Sequence, residues 1–177
     1  YDPESNPDGK KKLGALVRAN KALYKFTKEF ETPPVSGKDS MFIDGNLPHR
    51  EGGTRKVSGL PALQFSALGH VENVDRAIDL VPEEEGDLIY VLGLTKDELG
   101  ASEYYEYLGE VGSEVPKVEP RFSNKINRKL YSLIQEELVQ SCHGCYRGGL
   151  AVGLAEMAIA GELGLEVSLS EVPTERG

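Results

Sequence analysis

Residues 148–160, GGLAVGLAEMAIA, decide the class of fold. Two glycines open this segment, and small apolar side chains dominate the rest of it. This composition predicts a helix over 150–160, because small side chains let a helix axis lie close to a neighbouring layer. A helix packed closely on a sheet is typical of a layered α/β or α+β domain rather than a helical bundle or an all-β fold.

Outside this segment, periodic apolar residues predict the other elements. Steps of three and four residues indicate a helix over 13–30, which Thr32-Pro33-Pro34 would end because the residue before a proline avoids the α region. Thr95-Lys96-Asp97-Glu98 has the pattern of a capping box, so a short helix is expected after Thr95. Further helices are predicted over 102–108 and over 123–138, the latter capped by Ser123. Alternating or continuous apolar runs predict extended segments at 35–43, 63–71, 88–92 and 165–169.

The composition changes between Asp44 and Ser58, where Gly, Pro, His, Arg and Lys predominate. We interpret this stretch as a loop that links two domains. The predicted organisation is a first domain over 1–44, a linker over 45–57 and a second domain over 58–177. The order of helices and strands predicts a mixed α/β (α+β) fold.

Charge and composition exclude several classes of function. The 177-residue chain has 20 Lys and Arg against 29 Asp and Glu, which gives a net charge of −9. A polyanion would be repelled, so no nucleic acid is expected as a partner. No stretch approaches the about 18 consecutive apolar residues of a membrane helix, so no membrane partner is expected either. Two cysteines do not make a disulfide scaffold, and a reducing compartment, the cytoplasm, is predicted.

The segment Cys142-His143-Gly144-Cys145 contains the most conspicuous chemical motif. A redox site and a zinc site both use the C-x-x-C spacing. A thioredoxin-like domain has a strand directly before this motif, whereas a long helix is predicted here. A structural zinc site needs four ligands, and the sequence offers no second pair of ligands at a suitable spacing. The sequence therefore favours thiols without a catalytic or metal-binding role, with redox chemistry and zinc as alternatives.

Two segments are candidates for binding phosphate. Gly148 and Gly149 would leave backbone N–H groups unpaired at a helix N-terminus, where the helix dipole favours an anion, and Arg147 would add a cation. Lys38 and Ser40 form the second candidate, and the carboxylate of Asp39 between them suits a divalent cation. The spacing of a P-loop is absent.

Taken together, four segments resemble the synthetase subunits of the phosphoribosylformylglycinamidine synthase family. The resemblance covers nearly the whole chain, and its motifs occur in the family's order. These segments are Leu16–Tyr24, Val35–Met41, Leu92–Tyr104 with its LG-T-ELG-SEY pattern, and Gly148–Ala158 with its GGLAV-LAEMA pattern.

The resemblance implies a fold and a reaction. Residues 1–44 would be the tail of an N-terminal-type synthetase domain, and residues 58–177 a truncated, three-layer C-terminal domain of the aminoimidazole ribonucleotide synthetase type. The resembling enzymes use ATP and Mg²⁺ to activate formylglycinamide ribonucleotide, and ammonia from a glutaminase partner completes the amidine. Their catalytic residues belong mainly to the first half of the enzyme, so no catalytic residue is expected here. The fragment alone is expected to be inactive and to have no bound cofactor.

One departure from the family pattern concerns the glycine pair. The family commonly has His-Asp upstream of that pair, whereas His143 is followed by Gly144 here, and Arg147 stands where Ser or Asp is usual. Loss of a carboxylate argues against a metal at this point, and Arg147 suits direct contact with a phosphate.

Two alternatives to this interpretation stay open. The chain could belong to another ATP-using member of the same superfamily, or it could be a stand-alone structural or protein-binding module. If it is a severed piece, open sheet edges and apolar faces predict self-association.

Overall fold

The computed structural model describes residues 8–38, 44–59 and 62–175. The chain divides into two compact units, Tyr1–Gly69 and His70–Gly177. The domain limits and linker inferred from composition stay a prediction.

A long helix dominates the first unit. Helix α1 spans Gly9–Glu29 and confirms the helix expected from apolar periodicity. Its C-terminal end comes just before Pro33 and Pro34, where Glu31 adopts a positive φ of 55°. The amide of Thr32 still donates to the carbonyl of Thr27 at 3.0 Å, which closes the last turn.

A β-hairpin follows in the segment expected to be a loop, so that part of the prediction was wrong. Strands β1 (Asp44–Pro48) and β2 (Thr54–Ser58) pair antiparallel. The physical reason lies in the turn, where Gly52 and Gly53 have φ values of 92° and 78°. Residues other than glycine rarely adopt such φ values. This turn conformation allows the amide of His49 to donate to the carbonyl of Gly53 at 3.0 Å.

Ion pairs join α1 to the hairpin. The ammonium of Lys12 lies 2.8 Å from Asp44 Oδ1 and 2.9 Å from Asp8 Oδ2, and Lys56 Nζ lies 2.9 Å from Asp44 Oδ2. The hydrogen bond from Lys12 lowers the pKa of Asp8, and the hydrogen bonds to Asp44 and Asp8 raise the pKa of Lys12. Charges of alternating sign therefore hold the start of α1 against both strands.

Among its described residues, 70–175, the second unit contains three α-helices, α2 (Glu103–Tyr107), α3 (Pro120–Gln135) and α4 (Gly149–Gly161). They confirm the helices expected at 102–108 and 150–160, and Ser102 caps α2 by accepting a hydrogen bond from the amide of Tyr105. Helix α3 begins earlier than predicted. Ser123 is not its cap because Pro120 occupies the first turn, where its missing N–H costs nothing, and the amide of Ser123 already bonds Glu119.

The short helix expected after Thr95 is absent. Thr95 instead forms a parallel bridge with Thr174, in which its amide donates to the carbonyl of Pro173 at 2.8 Å. The carboxylate of Glu98, expected to bond the Thr95 amide, accepts from the amide of Lys117 at 3.3 Å. Both halves of the capping box therefore have other partners.

The strands expected at 63–71, 88–92 and 165–169 are also absent from the described residues. A strand requires a hydrogen-bonded neighbour. Residues 86–91 and 164–168 instead line one cavity of about 690 Å³, together with Leu150 and Leu154 of α4. Phe65 and Leu68, which are 63% and 98% exposed, have no layer to cover them. Of the segment expected at 35–43, residues 35–38 form no strand, and 39–43 lie outside the described residues.

Burial is shallow throughout the described ranges. No apolar side chain in them is fully buried apart from Pro120. None of the helices in these ranges is long and apolar enough to cross a membrane. Helices combined with a small antiparallel sheet make the fold mixed α/β, as predicted.

Candidate phosphate-binding turn

The turn before α4 depends on two consecutive glycines. Gly148 caps the helix with a φ of 85°, and Gly149 follows with a φ of 67°. Both values lie in the left-handed region that favours glycine, and a side chain on Gly148 would also collide with Val152. The amide of Gly149 donates to the carbonyl of Tyr146 at 3.1 Å. The predicted glycine pair thus builds a tight turn at the N-terminus of the helix.

Arg147 has a carboxylate partner in the structure. Its guanidinium forms an ion pair with Glu103, the first residue of α2, which lies 44 positions earlier in the sequence. The Arg147 side chain is 84% exposed. The cation predicted to meet a phosphate is therefore placed beside the glycine turn, but a protein carboxylate already contacts it. Sequence spacing gave no signal for Glu103 in this role.

His143 connects the loop to α4. Its Nε2 lies 2.7 Å from Oε2 of Glu156, and its side chain is 15% exposed. The ring also meets Tyr146 edge-on, with centroids 5.7 Å apart. Gly153 is buried and lies against this ring. A methyl group added at Gly153 would lie 3.4 Å from His143 Cδ2. The small residues of α4 thus admit a histidine ring, where the sequence had predicted close packing on a sheet.

The two cysteines are free thiols in the structure. Cys142 is partly buried and its amide donates to the carbonyl of Asp79 at 2.7 Å, whereas Cys145 is exposed. Across residues 8–38, 44–59 and 62–175, no group of three His, Cys, Asp or Glu side chains is arranged to hold a metal ion. The described residues around this turn do not fit a magnesium site.

The second predicted phosphate segment lies in the first unit. Lys38 is exposed. Asp39, the predicted metal ligand, and Ser40 lie outside the described residues. The structure therefore places only Arg147, Gly148 and Gly149 of the predicted site together.

Comparison with known proteins defines the class to which these elements belong. Residues 84–176, slightly more than half of the chain, match the family described as "AIR synthase related protein, C-terminal domain". The match includes α2, α3, α4 and the glycine turn. The chain belongs to this family.

Individual relatives of the chain share a more specific name. It is 34% identical over 169 residues to phosphoribosylformylglycinamidine synthase subunit PurL of Methanocaldococcus jannaschii, a match that covers 94% of this chain and 22% of the relative. It is 36% identical to the PurL subunit of Alkaliphilus metalliredigens, over 84% of this chain and 19% of that protein. The PurL subunit of Thermococcus gammatolerans is 37% identical over 76% of this chain and 18% of its own length.

The chain thus spans about a fifth of the length of these relatives. No solved structure matches it.

Proposed function

We propose that the chain is part of an ATP-dependent ligase that converts formylglycinamide ribonucleotide to its amidine in purine biosynthesis. It supports the enzyme without supplying a catalytic residue. The observation that carries the proposal is the alignment with PurL of M. jannaschii along 94% of the chain, in a family of AIR synthase related proteins. A match of this extent does not favour an unrelated binding module.

The proposal is tested by turnover. The 177-residue chain is incubated with ATP, Mg²⁺, formylglycinamide ribonucleotide and ammonia, and phosphate release is measured beside the full-length PurL subunit of M. jannaschii. We expect release from the full-length subunit alone. Substrate-dependent release by the 177-residue chain would contradict the non-catalytic role.

The proposed phosphate contacts are the Arg147 guanidinium and the backbone turn of Gly148 and Gly149, in which the amide of Gly149 already donates to the carbonyl of Tyr146. A helix N-terminus attracts anions through its dipole and unpaired N–H groups, and an arginine beside it adds two directed donors. Glu103 opposes this binding, because its carboxylate contacts the same guanidinium. We therefore propose that phosphate and Glu103 compete for Arg147, so that the wild-type chain binds free phosphate weakly.

Glu103→Gln tests this competition, and Glu106→Gln is its matched control. Glu106 lies on the same short helix and is exposed, and its carboxylate makes no hydrogen bond or ion pair with the described residues. We expect calorimetry with inorganic phosphate to show tighter binding for Glu103→Gln than for wild type or Glu106→Gln. Loss of that gain on adding Arg147→Ala would support the site. If both glutamine variants bound phosphate equally well, Arg147 would not be part of the phosphate site.

The remaining parts of the proposal concern the assembly. We propose that ATP and Mg²⁺ act in the parent enzyme. The partners of this chain are then the rest of the synthetase chain and a glutaminase that supplies ammonia. Lys38 and Ser40 contact the nucleotide, and Asp39 lies near the metal. The relatives are named as subunits, which supports an assembly. Two free thiols support a cytoplasmic location.

A further inference from the structure

One face of α1 carries a strip of positive charge. Seven of the eight charged side chains in Gly9–Glu29 are Lys or Arg. At 3.6 residues per turn, six of these cations fall within a sector of about 100° around the helix axis. All six are exposed, and we call them the basic face: Lys10, Lys11, Arg18, Lys21, Lys25 and Lys28.

Three of the six cations of the basic face have no partner of opposite charge among the described residues. Lys11, Arg18 and Lys21 make no ion pair or hydrogen bond there through their side chains. The remaining cation of the helix, Lys12, lies outside the sector and is held by Asp8 and Asp44. Lys11, Arg18 and Lys21 repel one another on this helix, and a bound anionic surface would relieve that repulsion.

An acidic counterpart occurs in the second unit of the same chain. Glu83, Glu84, Glu85 and Asp87 are exposed, and their carboxylates make no ion pair with the described residues. We call these four residues the acidic loop. Residues 1–69 contain 11 Lys and Arg against 8 Asp and Glu, whereas residues 70–177 contain 9 against 21. The two units therefore carry formal charges of opposite sign.

From this complementarity we propose that the basic face of α1 docks on the acidic loop of a second copy of the chain. This inference goes beyond the proposed function, because it assigns an interaction surface that neither the fold nor the enzymatic reaction requires. Each copy offers one basic face and one acidic loop, so a closed dimer would contain two such contacts and a head-to-tail series one contact between neighbours. Either a closed dimer or a head-to-tail series satisfies the charges of both surfaces.

Such an interface depends on salt. Single exposed ion pairs stabilise little, but several aligned charges add, and they also speed encounter. The Debye length shortens from about 30 Å at 0.01 M salt to about 3 Å at 1 M, so association driven by these surfaces weakens steeply over that range. Association driven by apolar surface would persist or strengthen at high salt.

Charge reversal on each surface provides the test, read by sedimentation velocity. The basic-face variant is Arg18→Glu with Lys21→Glu, and the acidic-loop variant is Glu84→Lys with Glu85→Lys. We expect wild type to associate at about 0.01 M salt and to dissociate at about 1 M. Each variant alone should show at least a tenfold weaker association. An equimolar mixture of the two should recover it, because reversed faces then meet reversed loops and native faces meet native loops.

Lys125→Glu with Lys129→Glu is the matched control. These exposed lysines of α3 are also without partners in the described residues, and their reversal changes the net charge as much as the basic-face variant does. We expect the control variant to associate as wild type does. Circular dichroism of each variant checks that its helices are retained. A wild-type monomer at low salt, association unchanged at high salt, or failure of the mixture to recover association would each overturn the proposal.

Discussion

Thr95 pairs with Thr174 in a parallel bridge that joins two distant parts of the second unit. The Thr95 amide donates to the carbonyl of Pro173 at 2.8 Å, and the amide of Glu175 donates to the carbonyl of Thr95 at 3.0 Å. The backbone of 88–92, only a few residues earlier, has no such partner within the described residues.

Amide hydrogen exchange should therefore separate these neighbours. We expect the amides of Thr95 and Glu175 to exchange at least about tenfold more slowly than those of 88–92, since paired backbone groups exchange only on local opening. Nuclear magnetic resonance of the chain transferred to deuterated water measures the rates. Equal protection of 88–92 would indicate the strand that the sequence predicts and the structure lacks.

Gly100 should not tolerate a larger residue. A methyl group at this buried glycine would lie 2.7 Å from the backbone carbonyl of Glu114. Because backbone must move to admit it, we expect Gly100→Ala to destabilise the unit by about 1–3 kcal/mol in urea unfolding. Gly164→Ala is the control, since nothing lies within 4 Å of its added methyl group, and it should change stability by less than about 0.5 kcal/mol. A neutral Gly100→Ala would contradict the close approach of residue 114.

The ion pairs at the start of α1 predict acid sensitivity. The pKa of Asp8 is lowered on folding, mainly by the hydrogen bond from Lys12. Its stabilising contribution is therefore complete above the unfolded pKa of about 3.9 and is lost as pH falls through the lower folded value. Urea midpoints measured between about pH 2 and pH 6 should fall with acid, and less steeply in Asp8→Asn.

Asp97→Asn is the matched control for this acid sensitivity. Asp97 is exposed, and its carboxylate makes no hydrogen bond or ion pair with the described residues. The control should keep the wild-type dependence on pH. If Asp8→Asn and Asp97→Asn showed the same profile, the Asp8–Lys12 pair would have no part in it.

The contact between His143 and Glu156 should hold the 142–146 loop on α4. Glu156 is 54% exposed, so its removal is expected to cost about 0.2–1 kcal/mol, as for an exposed charged pair. Glu156→Ala should speed amide exchange across the loop, whereas Glu166→Ala, which removes an exposed carboxylate without a partner in the described residues, should not. Faster exchange in both variants would indicate a general loss of stability.

The elements that the sequence predicted well are those stabilised by local interactions. The periodicity around Leu16 and Leu23 gives α1, and the short helix predicted over 102–108 is present as α2, with the hydroxyl of Ser102 as its cap. Helices close their hydrogen bonds within a few residues, so a short stretch of sequence contains most of the information. The same holds for Gly148 and Gly149, whose conformation only glycine adopts readily.

The predictions that failed depended on partners far away in sequence. Thr95 and Glu98 have the spacing of a capping box. In the structure, however, Thr95 pairs with Thr174, and the carboxylate of Glu98 accepts a hydrogen bond from the amide of Lys117. Residues 88–91 of the apolar run line a cavity. An alternating or continuous pattern shows which face is apolar, but it does not show whether a second strand lies alongside. Likewise, no local signal links Arg147 to Glu103 across 44 positions.

The shallow burial of apolar side chains has a thermodynamic consequence. The heat capacity increment of unfolding grows with the apolar surface newly exposed to water, and so does the sensitivity to denaturant. Since no apolar side chain of the described residues other than Pro120 is fully removed from solvent, calorimetric melting of this chain should be broad, with a smaller increment per residue than the usual 12–15 cal/mol/K, about which globular domains cluster. Whatever covers these side chains would sharpen the transition and raise that increment.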